Sequence, residues 1–240
     1  MITALLVSVN YADYLDVILP YNTLQFDQII VLTIESDKEC QNICSKYPNI
    51  KCLVFPDIIL KKNGQKFNKG AILNAGFRYL NEIKYSDWLV MTDSDIIFPE
   101  NFKELLLSKN KDLNLLYGMK RKHCYDSKTL EEYLKTKRAH VLNRANDPPF
   151  IGFCQIFIYQ VNKFKFVERF NADKLDIIFL TNFSKELEQF RHVPKFSRKL
   201  NITQATKDLP NFVKLSETDF VIHLGKNAKN WEGRITEKFV

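Results

Sequence analysis

The sequence predicts an α/β fold: a mainly parallel central sheet flanked by helices, with a smaller mixed part towards the C-terminus. Two observations carry that expectation. Over the first 95 residues, short apolar runs rich in Val and Ile alternate with stretches of helical periodicity, the pattern of strands buried on both faces and joined by right-handed crossovers. The run Trp88-Leu89-Val90-Met91-Thr92-Asp93-Ser94-Asp95-Ile96-Ile97-Phe98-Pro99 then leaves the apolar core abruptly on two carboxylates, and ligands of open α/β sheets bind beyond the carboxyl ends of such strands.

Taken in order, residues 3–9 form a first apolar strand. Asp13 is the expected N-cap of a helix reaching about Leu24, with Pro20 as a kink or early stop. Gln28 to Glu35 reads as a buried strand, and Asp37 caps a helix to Tyr47. Lys51 to Phe55 is a third strand, closed by Pro56 and a polar loop at 61–65. A helix from Asn68 to about Ile83 follows, with Ala71, Ile72, Ala75, Tyr79, Leu80 and Ile83 on one face. Strand 88–92 delivers the aspartates. Beyond Pro99 the pattern predicts a helix at 100–108, a strand at 113–117 and a basic helical region at 119–145. A strand over 150–159, a helix within 172–191 and short strands over 212–224 complete it. Without a repeat or linker, residues 1–240 read as one domain, with halves at 1–99 and 100–240.

Composition narrows the partners. An apolar fraction of 45% with 13% aromatic residues is that of a globular chain, and no segment approaches the ~18 apolar residues of a membrane span. The N-terminus lacks a basic region before its apolar run and reads as a strand rather than a secretion signal. Five cysteines without paired spacing indicate free thiols in a reducing, cytoplasmic setting and argue against zinc. The net charge of +7 favours anionic partners, among them phosphates and an acidic membrane surface touched peripherally.

The chemistry concentrates at two places. Side chains at i and i+2 of an extended backbone share a side, so Asp93 and Asp95 are expected to converge on one hard cation, Mg²⁺ or Mn²⁺. Asn68-Lys69-Gly70 opens a helix, whose free N–H groups and positive end favour an anion that Lys69 would further neutralise. Asn68 serves as a cap in either case.

These residues resemble the GT-A glycosyltransferases, particularly the family-2-like group. Asn68-Lys69-Gly70-Ala71-Ile72-Leu73-Asn74-Ala75-Gly76-Phe77 stands about twenty residues before Thr92-Asp93-Ser94-Asp95, similar to that group's N-(K/R)-G-x-x-x-N-x-G helix and D-x-D motif. Val221-Ile222-His223-Leu224-Gly225 looks like the late histidine that completes the metal site in many such enzymes. The resemblance implies a GT-A (Rossmann-like) fold and a nucleotide-sugar donor whose sugar moves to the hydroxyl of a glycan or other acceptor. It implies metal ligation by Asp93, Asp95 and His223, and donor contacts from Asn10, Glu35, Asp37, Asn68, Lys69, Asp93 and Arg234, with Lys226 a further diphosphate candidate. Inverting members place a base near Asp173 and Asp176; the usual Glu-Asp pair is absent, and Asp176 is preferred for its apolar neighbours.

Two rival functions follow from the same residues. A nucleotidyltransferase also uses metal-binding aspartates on an α/β sheet, yet Ser8-Val9-Asn10-Tyr11-Ala12-Asp13 lacks the Gly-rich basic loop it normally needs. A non-catalytic nucleic-acid or glycan-binding module would explain the basic 119–138 region, but the aromatics are spaced as core rather than interleaved with the charges, so nucleic acid is not an expected partner.

Overall fold

In the computed structural model, residues 1–144, 153–168, 175–180, 182–184, 210–225 and 239 are described, without the side chains of 144 and 176–178. Strand β1 (Ile2–Val7) leads into helix α1 (Ala12–Asn22), and β2 (Gln28–Ile34) into α2 (Lys38–Cys44). Strand β3 (Ile50–Phe55) is followed by a 3₁₀ segment (Asp57–Gly64), α3 (Lys69–Glu82), β4 (Trp88–Asp93) and the two-residue β5 (Ile96–Ile97). Then come α4 (Phe102–Leu107), β6 (Leu116–Gly118), β7 (Lys120–Cys124), α5 (Ser127–Thr136) and β8 (Asn143–Arg144). Strand β9 (Cys154–Ile158), helix α6 (Leu175–Leu180), β10 (Phe212–Lys214) and β11 (Phe220–Leu224) follow.

The fold class is the expected one. Seven strands form the main sheet in the order β10-β6-β9-β4-β1-β2-β3. All its neighbours pair in parallel except β9, which runs antiparallel between β4 and β6. A smaller mixed sheet runs β5-β11-β7-β8.

Strand β1 is buried along its whole length, and its side chains alternate between two cores. Ile2, Ala4 and Leu6 pack with Leu15, Ile18 and Cys40 from α1 and α2. Leu5 and Val7 face Ile72 and Phe77 of α3 and an aromatic cluster that includes Phe157, Phe164 and Phe179. Helix α3 comes close because Gly76 faces Leu32 and Leu5; a Cβ there would lie 2.8 Å from Leu32 Cδ1. Apolar cover on both faces is what a parallel sheet requires.

Local signals account for several boundaries. Asp37 Oδ1 accepts the Cys40 N–H at 3.2 Å, and Asn68 Oδ1 accepts the Ala71 N–H at 2.9 Å, capping α2 and α3 as expected. Helix α1 departs from expectation at its start: Tyr11 holds the cap position and Asp13 lies inside the first turn. Pro20 neither ends nor delays α1, which continues to Asn22.

The basic region is the main correction. Residues 119–145 are not one helix: Lys120–Cys124 is strand β7, Ser127–Thr136 is α-helical and capped by Asp126, and Ala139–Val141 is a short 3₁₀ turn. Strand β7 pairs with both β11 and β8, and that tertiary pairing overrides a charged local sequence. Among the described residues, no helix is long and apolar enough to cross a membrane.

Candidate functional site

The site lies where the two sheets meet, beyond the carboxyl end of β4. Strand β4 ends at Asp93, and a two-residue turn, Ser94-Asp95, leads directly into β5. Asp95 is therefore a turn residue, and the alternation expected of a continuous strand does not govern where it points. Asp93 is met by Lys69 from the first turn of α3, with Nζ 2.6 Å from Oδ1. Asp95 instead faces His223 of β11, with Nε2 3.5 Å from Oδ2. This approach follows from pairing: β11 runs antiparallel to β5 with His223 opposite Ile96, and the Leu224 N–H donates to the Asp95 carbonyl at 2.8 Å.

Asp95 is the electrostatic centre of the cluster. Its side chain is only 14% exposed, and its Oδ1 has no hydrogen-bond partner. Burial pushes the carboxyl up to about 7, the neighbouring Asp93 carboxylate adds to the rise, and the Lys69 and Arg121 cations oppose it. A buried carboxylate oxygen without a donor is costly unless a proton or a cation meets it.

Two neighbours were not expected from the sequence. His123 of β7 lies opposite His223 in register, and their Nδ1 atoms are 3.1 Å apart. Arg121, two residues earlier on the same side of β7, sits over the Phe153 ring at 4.5 Å. The i, i+2 spacing of Arg121 and His123 was the available signal, but it stood inside a run of basic residues that read as helical.

Asn10, Glu35 and Asp37 gather at the carboxyl ends of β1 and β2. Asn10 adopts a left-handed φ of 62°, and its N–H donates to Asp37 Oδ2 at 2.7 Å. Asp37 is buried and occupied by this bond and by capping α2, whereas Glu35 is exposed. The start of α3 is less open to an anion than the sequence suggests. The Lys69 N–H donates to the Phe67 carbonyl, the Ala71 N–H is taken by Asn68, and Gly70 is packed against Val167 and Leu175.

Asp176 lies on α6, directly after Leu175, whose side chain packs against Gly70 next to Lys69; its own side chain is outside the described residues. Asp173, Lys226 and Arg234 also lie outside them.

The residues suit a hard divalent cation in kind: two carboxylates, one imidazole and a buried oxygen without a partner. They are not gathered as a finished cage. Among the described residues no three His, Cys, Asp or Glu side chains are grouped closely enough to hold a metal as they stand, and Lys69 occupies one oxygen of Asp93.

No family model and no curated protein matches the chain. Among solved structures, it is similar to the galactosyltransferase LgtC in complex with donor and acceptor sugar analogs. That match is 13% identical, covers 96% of this chain and 89% of the other, and has a TM-score of 0.47. The bifunctional glycosyltransferase WbbM is 16% identical over 80% of this chain, with a TM-score of 0.40; the chain spans only 34% of that protein. A 4-diphosphocytidyl-2C-methyl-D-erythritol synthase from Anaerococcus prevotii is 13% identical over 94% of this chain and 89% of its own, with a TM-score of 0.42.

Proposed function

We propose that this chain is a glycosyltransferase that moves a sugar from a nucleotide-diphosphate sugar to an acceptor hydroxyl, with inversion. The observation that carries the reading is the buried Asp95 carboxylate, which faces His223, follows Asp93 by two residues and keeps one oxygen without a hydrogen-bond partner. Asp95 and His223 would hold a divalent cation, Mn²⁺ or Mg²⁺, together with Asp93. When bound, such an ion neutralises charge on the departing diphosphate.

The chain's own groups would do the rest. Lys69, now held by Asp93, offers its ammonium to a donor phosphate. Asn10, Glu35 and Asp37 form the end of the sheet against which the nucleoside would lie, with Asp37 acting through the loop it ties down. Asp176 would take the proton of the acceptor hydroxyl as its oxygen bonds to the anomeric carbon. The bond from that carbon to the diphosphate breaks, and the nucleoside diphosphate leaves. Arg234 would meet the diphosphate. The acceptor is a glycan or another hydroxyl-bearing molecule, and the net charge of +7 suits an anionic donor. The absence of a disulfide among the five thiols fits the cytoplasmic setting included in this proposal.

The test is thermal stability with nucleoside diphosphates and nucleotide sugars, each with and without Mn²⁺, followed by product analysis. A Mn²⁺-dependent rise for one nucleotide family, with release of nucleoside diphosphate, supports the reading. Release of pyrophosphate would point to nucleotidyl transfer instead. Undiminished transfer by an Asp95→Ala variant would overturn the metal assignment.

A further inference from the structure

We infer that His123 is a positioning residue: its Nδ1 accepts a hydrogen bond from the Nδ1–H of His223, which keeps the His223 lone pair on Nε2, the nitrogen facing Asp95, for a cation. The inference rests on the cation site proposed above and adds a residue to it. The two Nδ1 atoms lie 3.1 Å apart, a hydrogen-bond distance, with the rings nearly perpendicular at 86°. Both residues are buried, at 4% and 9% exposure. They meet because β7 and β11 pair in parallel with His123 directly opposite His223.

A hydrogen bond between two neutral imidazoles needs a proton on one nitrogen and a lone pair on the other. Only one of the two rings can therefore be the Nδ1–H form. The second nitrogen of His223, Nε2, faces Asp95 Oδ2 at 3.5 Å. For Nε2 to give a lone pair to a cation beside Asp95, the His223 proton must sit on Nδ1, and the atom facing it there is His123 Nδ1. His123 must then be the Nε2–H form.

Left to itself, the Asp95 carboxylate favours the opposite arrangement, with a proton on His223 Nε2. His123 opposes that preference, as the partners of metal-ligating histidines do when they fix a tautomer. Tyr125 stacks on the His123 ring at 6.0 Å between centroids and 25° between planes, which holds the ring in place.

Two variants separate this role from packing. His123→Phe keeps a ring in the space but removes the acceptor, while His123→Asn restores a polar atom near the Nδ1 position. Mn²⁺ affinity is read from the paramagnetic resonance signal of the free ion, and the imidazole nitrogen shifts are read from the Mg²⁺-loaded wild-type protein. The Phe variant is expected to bind Mn²⁺ roughly ten- to a hundredfold more weakly, the Asn variant to recover most of the loss, and His223 to be Nδ1–H in the loaded protein. Wild-type affinity in the Phe variant would overturn the inference and leave the cation site standing, whereas His223 found as Nε2–H in the loaded protein would overturn it and remove His223 from the ligands. If the wild-type protein takes up no Mn²⁺, the site itself falls and the inference with it.

Discussion

Lys69 Nζ lies 2.6 Å from Asp93 Oδ1, so the first carboxylate of the pair is already neutralised from the start of α3. The two side chains are 16% and 33% exposed, so the pair is partly buried, its attraction is largely offset by lost hydration, and Asp93 stays within reach of water when the ammonium is removed. Lys69→Met is therefore expected to melt within a few degrees of wild type. Donor-dependent turnover is expected to fall roughly tenfold or more, since the charge that would meet the donor phosphate is gone. Undiminished turnover with a large fall in melting temperature would make Lys69 a structural residue only.

Asp95 carries a pH signature. Burial, with the Asp93 carboxylate adding, raises its folded pKa to about 7 from the ordinary 3.8. The folded state therefore holds this proton over a range where the unfolded chain has lost it. The stabilising contribution is full below about pH 4 and disappears as pH rises through 7, with a ceiling on the order of 4 kcal/mol. Asp95→Asn removes the titration. In chelator, its stability relative to wild type is expected to climb between pH 4 and 7, as denaturant midpoints at successive pH values would show. A difference independent of pH would mean that Asp95 does not titrate there.

The close approach of α3 to the segment before α6 depends on Gly70. A Cβ at this position would lie 2.9 Å from the Val167 carbonyl oxygen and 3.2 Å from a Leu175 methyl carbon. Backbone cannot turn aside as a side chain can. Although alanine favours a helix over glycine by about 1 kcal/mol, Gly70→Ala is expected to destabilise by roughly 1–3 kcal/mol. A calorimetric melting temperature at or above that of wild type would show that the two segments separate easily.

Acid should loosen the opposite end of the sheet. Asp87 Oδ2 accepts from the Met1 ammonium at 2.6 Å, its Oδ1 pairs with Lys111 at 2.8 Å, and Asp27 Oδ2 accepts the Ile2 N–H at 2.7 Å. Burial works against ionisation of both carboxyls, but Lys111, the N-terminal ammonium and the Trp88 N–H hold Asp87 below the usual carboxylate range, and Lys103 and Ile2 do the same for Asp27. Their contribution is present above the ordinary value of 3.8 and is lost as pH falls through the lower folded values. Asp87→Asn should flatten the acid limb of a plot of melting temperature against pH. An unchanged limb would assign acid loss to other groups.

Legibility in the sequence followed the range of the interaction. Asp37 and Asn68 announce their helices because a cap needs only a short polar side chain and the backbone three residues on. Strands β1, β2 and β4 show as apolar runs because they are covered on both faces, whereas β3 is a half-buried edge strand. Strand β7 was hidden, since Lys120, Arg121 and Lys122 carry neither period and its pairing with β11 spans about a hundred residues. For the same reason the pairing of Asp95 with His223 could be expected only by resemblance, and His123 not at all. No local rule brings residues 123 and 223 into register; the second sheet does.

Strand β11 lies between β5 and β7, which do not touch each other in the order β5-β11-β7-β8. In a chain emerging from the ribosome, the Asp95 turn and the β7 residues therefore wait, without their shared neighbour, until residues 220–224 have been made. Pairing over such separations is intrinsically slow, and waiting strand edges invite other strands. The side chains around Asp95 can come together only at the end of folding, so a nascent chain stopped at residue 219 should hold a largely formed main sheet and no site.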